Sequence, residues 1–170
     1  MASDLNRGGI ADRLDHVSIA TRSIASMVPL IRDVLGGRYL MGATETAQQF
    51  RWAQFQFPGG GVIELMEPID ASGFVQEFLD RRGEGVHHIT LRVRDIAVRA
   101  KELEALGYHP VKAAFENPVW KEVFLHPRET HGVLIQLAES ELPYPREIEF
   151  YQQLDLDGIM AGRPQPGTSY

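Results

Sequence analysis

Apolar and polar residues alternate along the first structured stretch of the chain. Val17 and Ile19 fall on one side of an extended backbone, and His16, Ser18 and Ala20 on the other. This predicts a strand with one apolar face, running from Leu14 to Thr21. From Ile24 to Leu35 the period lengthens: Ile24, Met27, Val28, Ile31, Val34 and Leu35 recur at helical spacing, with Ser23 as N-cap and Gly36-Gly37 as the stop. Pro29 brings no amide hydrogen to that helix and predicts a kink or a late start. Strands are predicted from Arg38 to Gly42 and from Phe50 to Phe57. After the Pro58-Gly59-Gly60-Gly61 turn, a third follows from Val62 to Met66. The order is β-α-β-β-β.

The same order is then written again. A connector with a short helix, Gly73 to Arg82, leads to a strand from Val86 to Val93 and a helix from Asp95, as N-cap, to Gly107. Strands follow from Tyr108 to Ala113, Lys121 to Leu125 and Gly132 to Ala138. At an offset of 72 positions His88 falls on His16, Arg94 on Arg22, Ile96 on Ile24 and Ala97 on Ala25. The same offset places Gly132 on Gly60, Ile135 on Ile63, Gln136 on Glu64, Leu137 on Leu65 and Glu139 on Glu67. One shift that fits both ends identifies a tandem duplication, and a repeat outranks any local reading. The predicted organisation is a flexible leader over residues 1–13 and a first module over 14–72. A connector helix with the second module covers 73–139, and a Pro-rich arm covers 140–170. The arm has a helix over Glu147 to Leu156 with no counterpart in the first copy. It is read as a cover over the core or as a dimer contact.

Composition narrows the class. A hydrophobic content of 44% and a charged content of 24% over 170 residues are those of an ordinary globular protein. The net charge of −6 argues against general nucleic-acid binding. No apolar run approaches the length of a membrane span, and residues 1–12 do not read as a signal peptide. Cys is absent, which removes disulfides and thiolate ligands and fits a cytoplasmic address.

Candidate chemistry follows from strand parity. His16 and Glu64 lie opposite Val17, Ile19, Ile63 and Leu65 on their strands. His88 and Gln136 lie in the same way opposite Ile89, Leu91, Ile135 and Leu137. Each pair is 48 residues apart. Pairing of the copies about an approximate two-fold axis would bring the four side chains together. Two imidazoles, a carboxylate and an amide oxygen form a mixed N/O set suited to Co²⁺, Ni²⁺, Mn²⁺, Fe²⁺ or Zn²⁺. A single strand His is more often a hydrogen-bonded structural residue. The match of type, face and spacing in both copies favours a metal, because four such groups on one wall would otherwise need other partners.

The chain resembles the vicinal oxygen chelate superfamily of glyoxalase-like proteins over Leu14 to Glu139, and within it the methylmalonyl-CoA epimerases. The stretches that carry the resemblance are Leu14-Asp15-His16, Arg32-Asp33-Val34-Leu35-Gly36, Ile63-Glu64-Leu65-Met66-Glu67-Pro68 and Arg82-Gly83-Glu84-Gly85-Val86-His87-His88-Ile89. Leu125-His126-Pro127 and Gly132-Val133-Leu134-Ile135 complete them. The resemblance implies an α+β fold of two tandem βαβββ modules. These form an open, U-shaped mixed sheet around a central metal cleft, with metal ligands at His16, Glu64, His88 and Gln136. It also implies a homodimer and a small-molecule, acyl-CoA-like substrate. Two positions depart from the family pattern. Epimerases of this type place a Glu where Gln136 stands, as ligand and base, and a second Glu near Gln48 or Gln49. An amide takes no proton from carbon at neutral pH, so the base role passes to Glu64, with Gln136 as the neutral fourth ligand.

The expected activity is a metal-dependent isomerase or lyase that removes a proton α to a carbonyl or thioester. The alternatives are a non-catalytic binding or resistance protein and an Fe²⁺ ring-cleaving dioxygenase. Gln48, Lys121, Trp120 and His131 are the candidate substrate contacts, with Glu45 also placed at the pocket mouth and Arg51 and Arg128 as further basic candidates. His87 points away from His88 and reads as structural, while His126 reads as ordering its turn.

Overall fold

The computed structural model describes residues 9–163. Residues 1–8 of the predicted leader and 164–170 of the arm, with Pro164 and Pro166, lie outside them. Eight strands form one mixed sheet in the order β2-β3-β4-β1-β5-β8-β7-β6. They are β1 (Arg13–Ala20), β2 (Arg38–Glu45), β3 (Phe50–Gln56), β4 (Val62–Pro68), β5 (Gly85–Arg92), β6 (Val111–Ala114), β7 (Lys121–Leu125) and β8 (Leu134–Glu139). The α+β class and the two βαβββ-like repeats stand as the sequence predicts. By contact the chain divides into two compact units: residues 16–87 with the arm from Pro143, and residues 88–142 with the segment ahead of His16.

In the unit that holds the first repeat, β1 and β4 are parallel, while β2–β3 and β3–β4 are antiparallel. Parallel neighbours need a crossover, which α1 (Ile24–Val28) begins. Ser23 caps it, its hydroxyl accepting from the Ser26 amide at 3.3 Å. At Pro29 the helix changes pitch. Residues Pro29–Val34 form a π-helical turn in which the Leu35 amide reaches back to Leu30 O at 3.0 Å. The missing Pro29 amide breaks the i→i−4 ladder, and the wider turn takes up the break. Ile24, Val28 and Ile31 then pack on Ala53, Phe55 and Leu65 of the sheet. Gly42 lets β2 lie close to β3, since a Cβ there would meet Trp52 O at 2.5 Å. Helix α2 (Phe74–Arg82) follows, with Val75 and Leu79 buried.

The arm belongs to this unit. Where the sequence predicts one helix there are two, α4 (Tyr144–Tyr151) and α5 (Leu156–Met160), because Asp155 starts a new one by accepting from the Gly158 amide at 2.7 Å. Leu154, Leu156 and Ile159 are buried in the same core as Ala53 and Phe55. Tyr151 packs edge-on against Trp52, ring centroids 5.1 Å apart, on the other face of β3. The arm therefore holds both sides of that strand.

The unit of the second repeat has the same plan: β5–β8 parallel, β6–β7 and β7–β8 antiparallel. Helix α3 (Ile96–Ala105) buries Ile96, Ala100 and Leu103 against Val123, Leu125 and Leu137. Ile10 packs on this cluster, and the Asp12 amide donates to Arg92 O at 2.8 Å. Among the described residues no helix is long and apolar enough to cross a membrane.

Candidate metal centre

The apolar faces of the strands turn to the helices, which leaves the even-numbered residues of β1, β3 and β4 on the opposite face. In the first repeat Glu64 sits in register with Ser18 of β1 and with Gln54 of β3. Direct cross-strand neighbours touch, and both do. Ser18 Oγ donates to Glu64 Oε1 at 2.6 Å, and Gln54 Nε2 donates to Glu64 Oε2 at 3.1 Å. The same Gln54 nitrogen lies 3.3 Å from His16 Nδ1, and His16 Nε2 lies 3.6 Å from Glu64 Oε2. One amide thus links imidazole and carboxylate, and all four residues are buried.

Two strands away, Glu45 ends β2 on the same face. Its Oε1 accepts from Trp52 Nε1 at 3.4 Å, and Trp52 is the residue that Tyr151 covers. Burial pushes the Glu45 carboxyl above its ordinary range, the Trp52 bond pulls it back in part, and the charge of Glu64 pushes it up further. Glu45 is a second carboxyl in electrostatic reach of the first.

The second repeat copies the geometry with a change of chemistry. Thr90 stands in register with Gln136, and Thr90 Oγ1 donates to Gln136 Oε1 at 2.6 Å. Gln136 Nε2 donates to Glu122 Oε2 at 2.6 Å, and the same oxygen accepts from Trp120 Nε1 at 3.0 Å. His88 is buried on this face, its ring 6.4 Å from that of Phe124. Arg92 lies 4.7 Å over the Trp120 ring and 3.2 Å from Asp15.

One ligand atom from each of His16, Glu64 and His88 lies within 4.8 Å of the others. Donors about 2 Å from one ion lie up to roughly 4 Å apart, which is the scale of this spacing. The donor types fit as well: two imidazoles and one carboxylate, all buried, are what a first-row divalent ion takes. The buried His16/Glu64/His88 cluster could hold a metal ion.

The remaining predicted contacts are placed as follows. Trp120 is on the His88 face, through Glu122. Lys121 shares its face with buried Val123 and Leu125, and its Nζ lies 2.5 Å from Glu141 Oε1, which pushes the ammonium pKa up. Gln48 is exposed in the β2–β3 turn and His131 in the β7–β8 turn. His87 packs on the rings of Phe74 and Phe78, and His126 Nδ1 accepts from the Arg128 amide at 3.1 Å, so both have the structural parts read from the sequence. Gln54 and Glu122 were not singled out from the sequence. Period-two parity gives the face of each, but only the register of β3 and β7 tells which residue of that face meets Glu64 or Gln136.

Comparison with known proteins agrees with this geometry. The model of the glyoxalase/bleomycin resistance protein/dioxygenase superfamily matches residues 15–124. The uncharacterized protein YqjC of Bacillus subtilis is 35% identical over 135 residues, 76% of this chain and 94% of its own. Methylmalonyl-CoA epimerase from Mycobacterium tuberculosis superposes with a TM-score of 0.75 at 30% identity, covering 86% of this chain and 99% of that one. A Streptomyces coelicolor methylmalonyl-CoA epimerase variant, solved in complex with 2-nitronate-propionyl-CoA, has a TM-score of 0.69 at 27% identity, covering 78% of this chain and 99% of that one. With its doubled βαβββ plan and buried His/Glu/His cluster, the chain belongs to the glyoxalase/bleomycin resistance protein/dioxygenase superfamily.

Proposed function

We propose that the protein is a divalent-metal-dependent isomerase or lyase that removes a proton α to a carbonyl or thioester, with a methylmalonyl-CoA-like thioester as the first substrate to try. The observation that carries the reading is the buried cluster of His16, Glu64 and His88, with ligand atoms within 4.8 Å of one another. These three would hold the ion, with Gln136 as a neutral fourth ligand. Bound there, a divalent ion would act as a Lewis acid on the substrate's oxygens and so favour the enolate. Relatives with acyl-CoA ligands support the substrate class.

The chain's own part is to orient ligands and to handle the proton. Ser18 and Gln54 fix both oxygens of Glu64. Glu64 is the carboxylate assigned as base from the sequence. Glu45 joins it, because a carboxyl pushed up by burial is better matched to exchange a proton near neutral pH than an exposed one. The test is α-carbon exchange in D₂O across a panel of acyl-CoA thioesters, with metal-loaded protein. Wash-in is expected for at least one thioester and is expected to be lost in Glu64→Gln and strongly slowed in Glu45→Gln. No exchange with any thioester and any of the five metals would reject the reading.

A second reading has its own observation. Two His and one carboxylate, with the Gln136 amide engaged by Thr90 and Glu122, is also the ligand set of non-haem Fe²⁺ oxygenases. Substrate-dependent O₂ uptake by the Fe²⁺ form, without thioester exchange, would select it.

A further inference from the structure

The two repeats carry the same pair of side chains in opposite order. In the first, the carboxylate (Glu64) is on the strand parallel to the His strand, and the amide (Gln54) is on the next strand out. In the second, the amide (Gln136) is on the inner strand and the carboxylate (Glu122) on the next one out, two residues off direct register because Phe124 faces Gln136. Both pairs join an amide nitrogen to a carboxylate oxygen.

We propose that Glu122 is a positioning residue for the site: with Thr90 it locks the Gln136 amide so that its oxygen is turned toward β5, the strand of His88. This rests on the metal-site reading above and adds the group that decides which atom Gln136 offers. A carboxamide has two ends of nearly equal size, and only its partners tell them apart. Here the assignment is set from both sides. An ionised carboxylate accepts only, so the end facing Glu122 is the NH₂ group, at 2.6 Å. The Thr90 hydroxyl then donates to the oxygen, at 2.6 Å, which keeps a second lone pair. Trp120 Nε1 holds Glu122 Oε2 in place at 3.0 Å. Without Glu122 the amide is free to turn over and present nitrogen, which binds no divalent ion. The exchange also moves the negative charge off the ligand position while keeping it on the same wall.

The experiment uses Co²⁺ alone as probe, following its visible absorption band and its affinity by titration. The proteins are wild type, Glu122→Gln, Glu122→Leu, Gln136→Leu and Thr90→Val. Glu122→Gln still offers an acceptor oxygen to both donors and is expected to stay near wild type. Glu122→Leu is expected to weaken Co²⁺ binding about 10- to 100-fold, the usual effect of losing a partner that orients a ligand, and to shift the band to that of Gln136→Leu. If Glu122→Leu keeps the wild-type band and affinity, or if Glu122→Gln is as damaged as Glu122→Leu, the positioning role is overturned. Should Glu122→Leu fail to fold by circular dichroism, Glu122→Ala decides, with the Gln136→Leu band expected and the wild-type band overturning. Thr90→Val, which leaves Glu122 on the amide nitrogen, is expected to keep the wild-type band, and its loss there would move the lock from Glu122 to Thr90. A wild-type protein that takes up no Co²⁺ overturns the metal reading itself and this inference with it.

Discussion

Ser18 Oγ lies 2.6 Å from Glu64 Oε1, and 72 positions later Thr90 Oγ1 lies 2.6 Å from Gln136 Oε1. Position, distance and direction of donation are all repeated, so the duplication preserved a hydroxyl that holds the candidate ligand as well as the ligand itself. Further contacts are doubled in the same way. Glu67 accepts from the Ile24 amide at 2.7 Å and Glu139 from the Ile96 amide at 2.8 Å. Thr21 N reaches Met66 O at 2.8 Å, and Val93 N reaches Ala138 O at 3.0 Å.

The doubled hydroxyl predicts the first outcome. Ser18→Ala leaves Glu64 Oε1 without its donor and lets the carboxylate rotate. Co²⁺ affinity is expected to fall about 10- to 100-fold, as for other partners that orient a metal ligand. Ser18→Thr, the residue of the second copy, is expected to keep most of it. Calorimetric titration compares the two. Equal affinity in wild type and Ser18→Ala would remove the orienting role.

A ligand that binds only the folded state stabilises it by mass action, about 2.7 kcal/mol at a free concentration of 100 times Kd. Divalent ion added to chelator-treated protein is therefore expected to raise the urea midpoint. His16→Ala and His88→Ala are expected to abolish that rise, since each removes one of three clustered donors. A rise of the same size in both variants would place the bound ion elsewhere.

The Glu45 carboxyl gives a pH dependence with a definite sign. Burial, joined by the nearby Glu64 charge, puts its folded pKa above the unfolded one, so the folded state binds the extra proton. By linkage, stability falls as pH rises from the unfolded carboxylate pKa through the raised folded value, and the cost persists above it. Glu45→Gln, whose oxygen can still accept from Trp52, removes this cost. In metal-free protein the variant is expected to gain stability over wild type on going from pH 4 to pH 8. A gap between the two melting temperatures that does not change with pH would contradict the burial argument.

The duplication made the fold legible. Parity placed His16, Glu64, His88 and Gln136 on the faces where they lie, because strand alternation is local and an equal offset links the copies. The π-turn was visible only as a conflict at Pro29. Its resolution depends on how Ile31 must reach Phe55, which no local pattern encodes. Gln54 and Glu122 were missed for a related reason: a side chain that binds its neighbour across a strand is known only once the register is known. On β7 that register puts Phe124, not Glu122, opposite Gln136.

The cap of α3 shows where local signals mislead, and it can be tested. The sequence makes Asp95 the N-cap of that helix, the residue type best suited to the position. In the structure Asp95 has φ of 55° and its side chain makes no capping bond. The Ile96 amide instead donates to Glu139 Oε2, brought in from β8. A carboxylate at a helix N-terminus satisfies an orphan amide and meets the positive end of the dipole. Glu139→Ala is therefore expected to cost about 1–2 kcal/mol. Glu139→Gln, which keeps an acceptor but not the charge, is expected to cost less. Asp95→Gly is expected to be neutral or stabilising, because glycine adopts positive φ without strain. Urea unfolding of the three variants distinguishes the two caps. An Asp95→Gly loss as large as that of Glu139→Ala would return the capping role to Asp95.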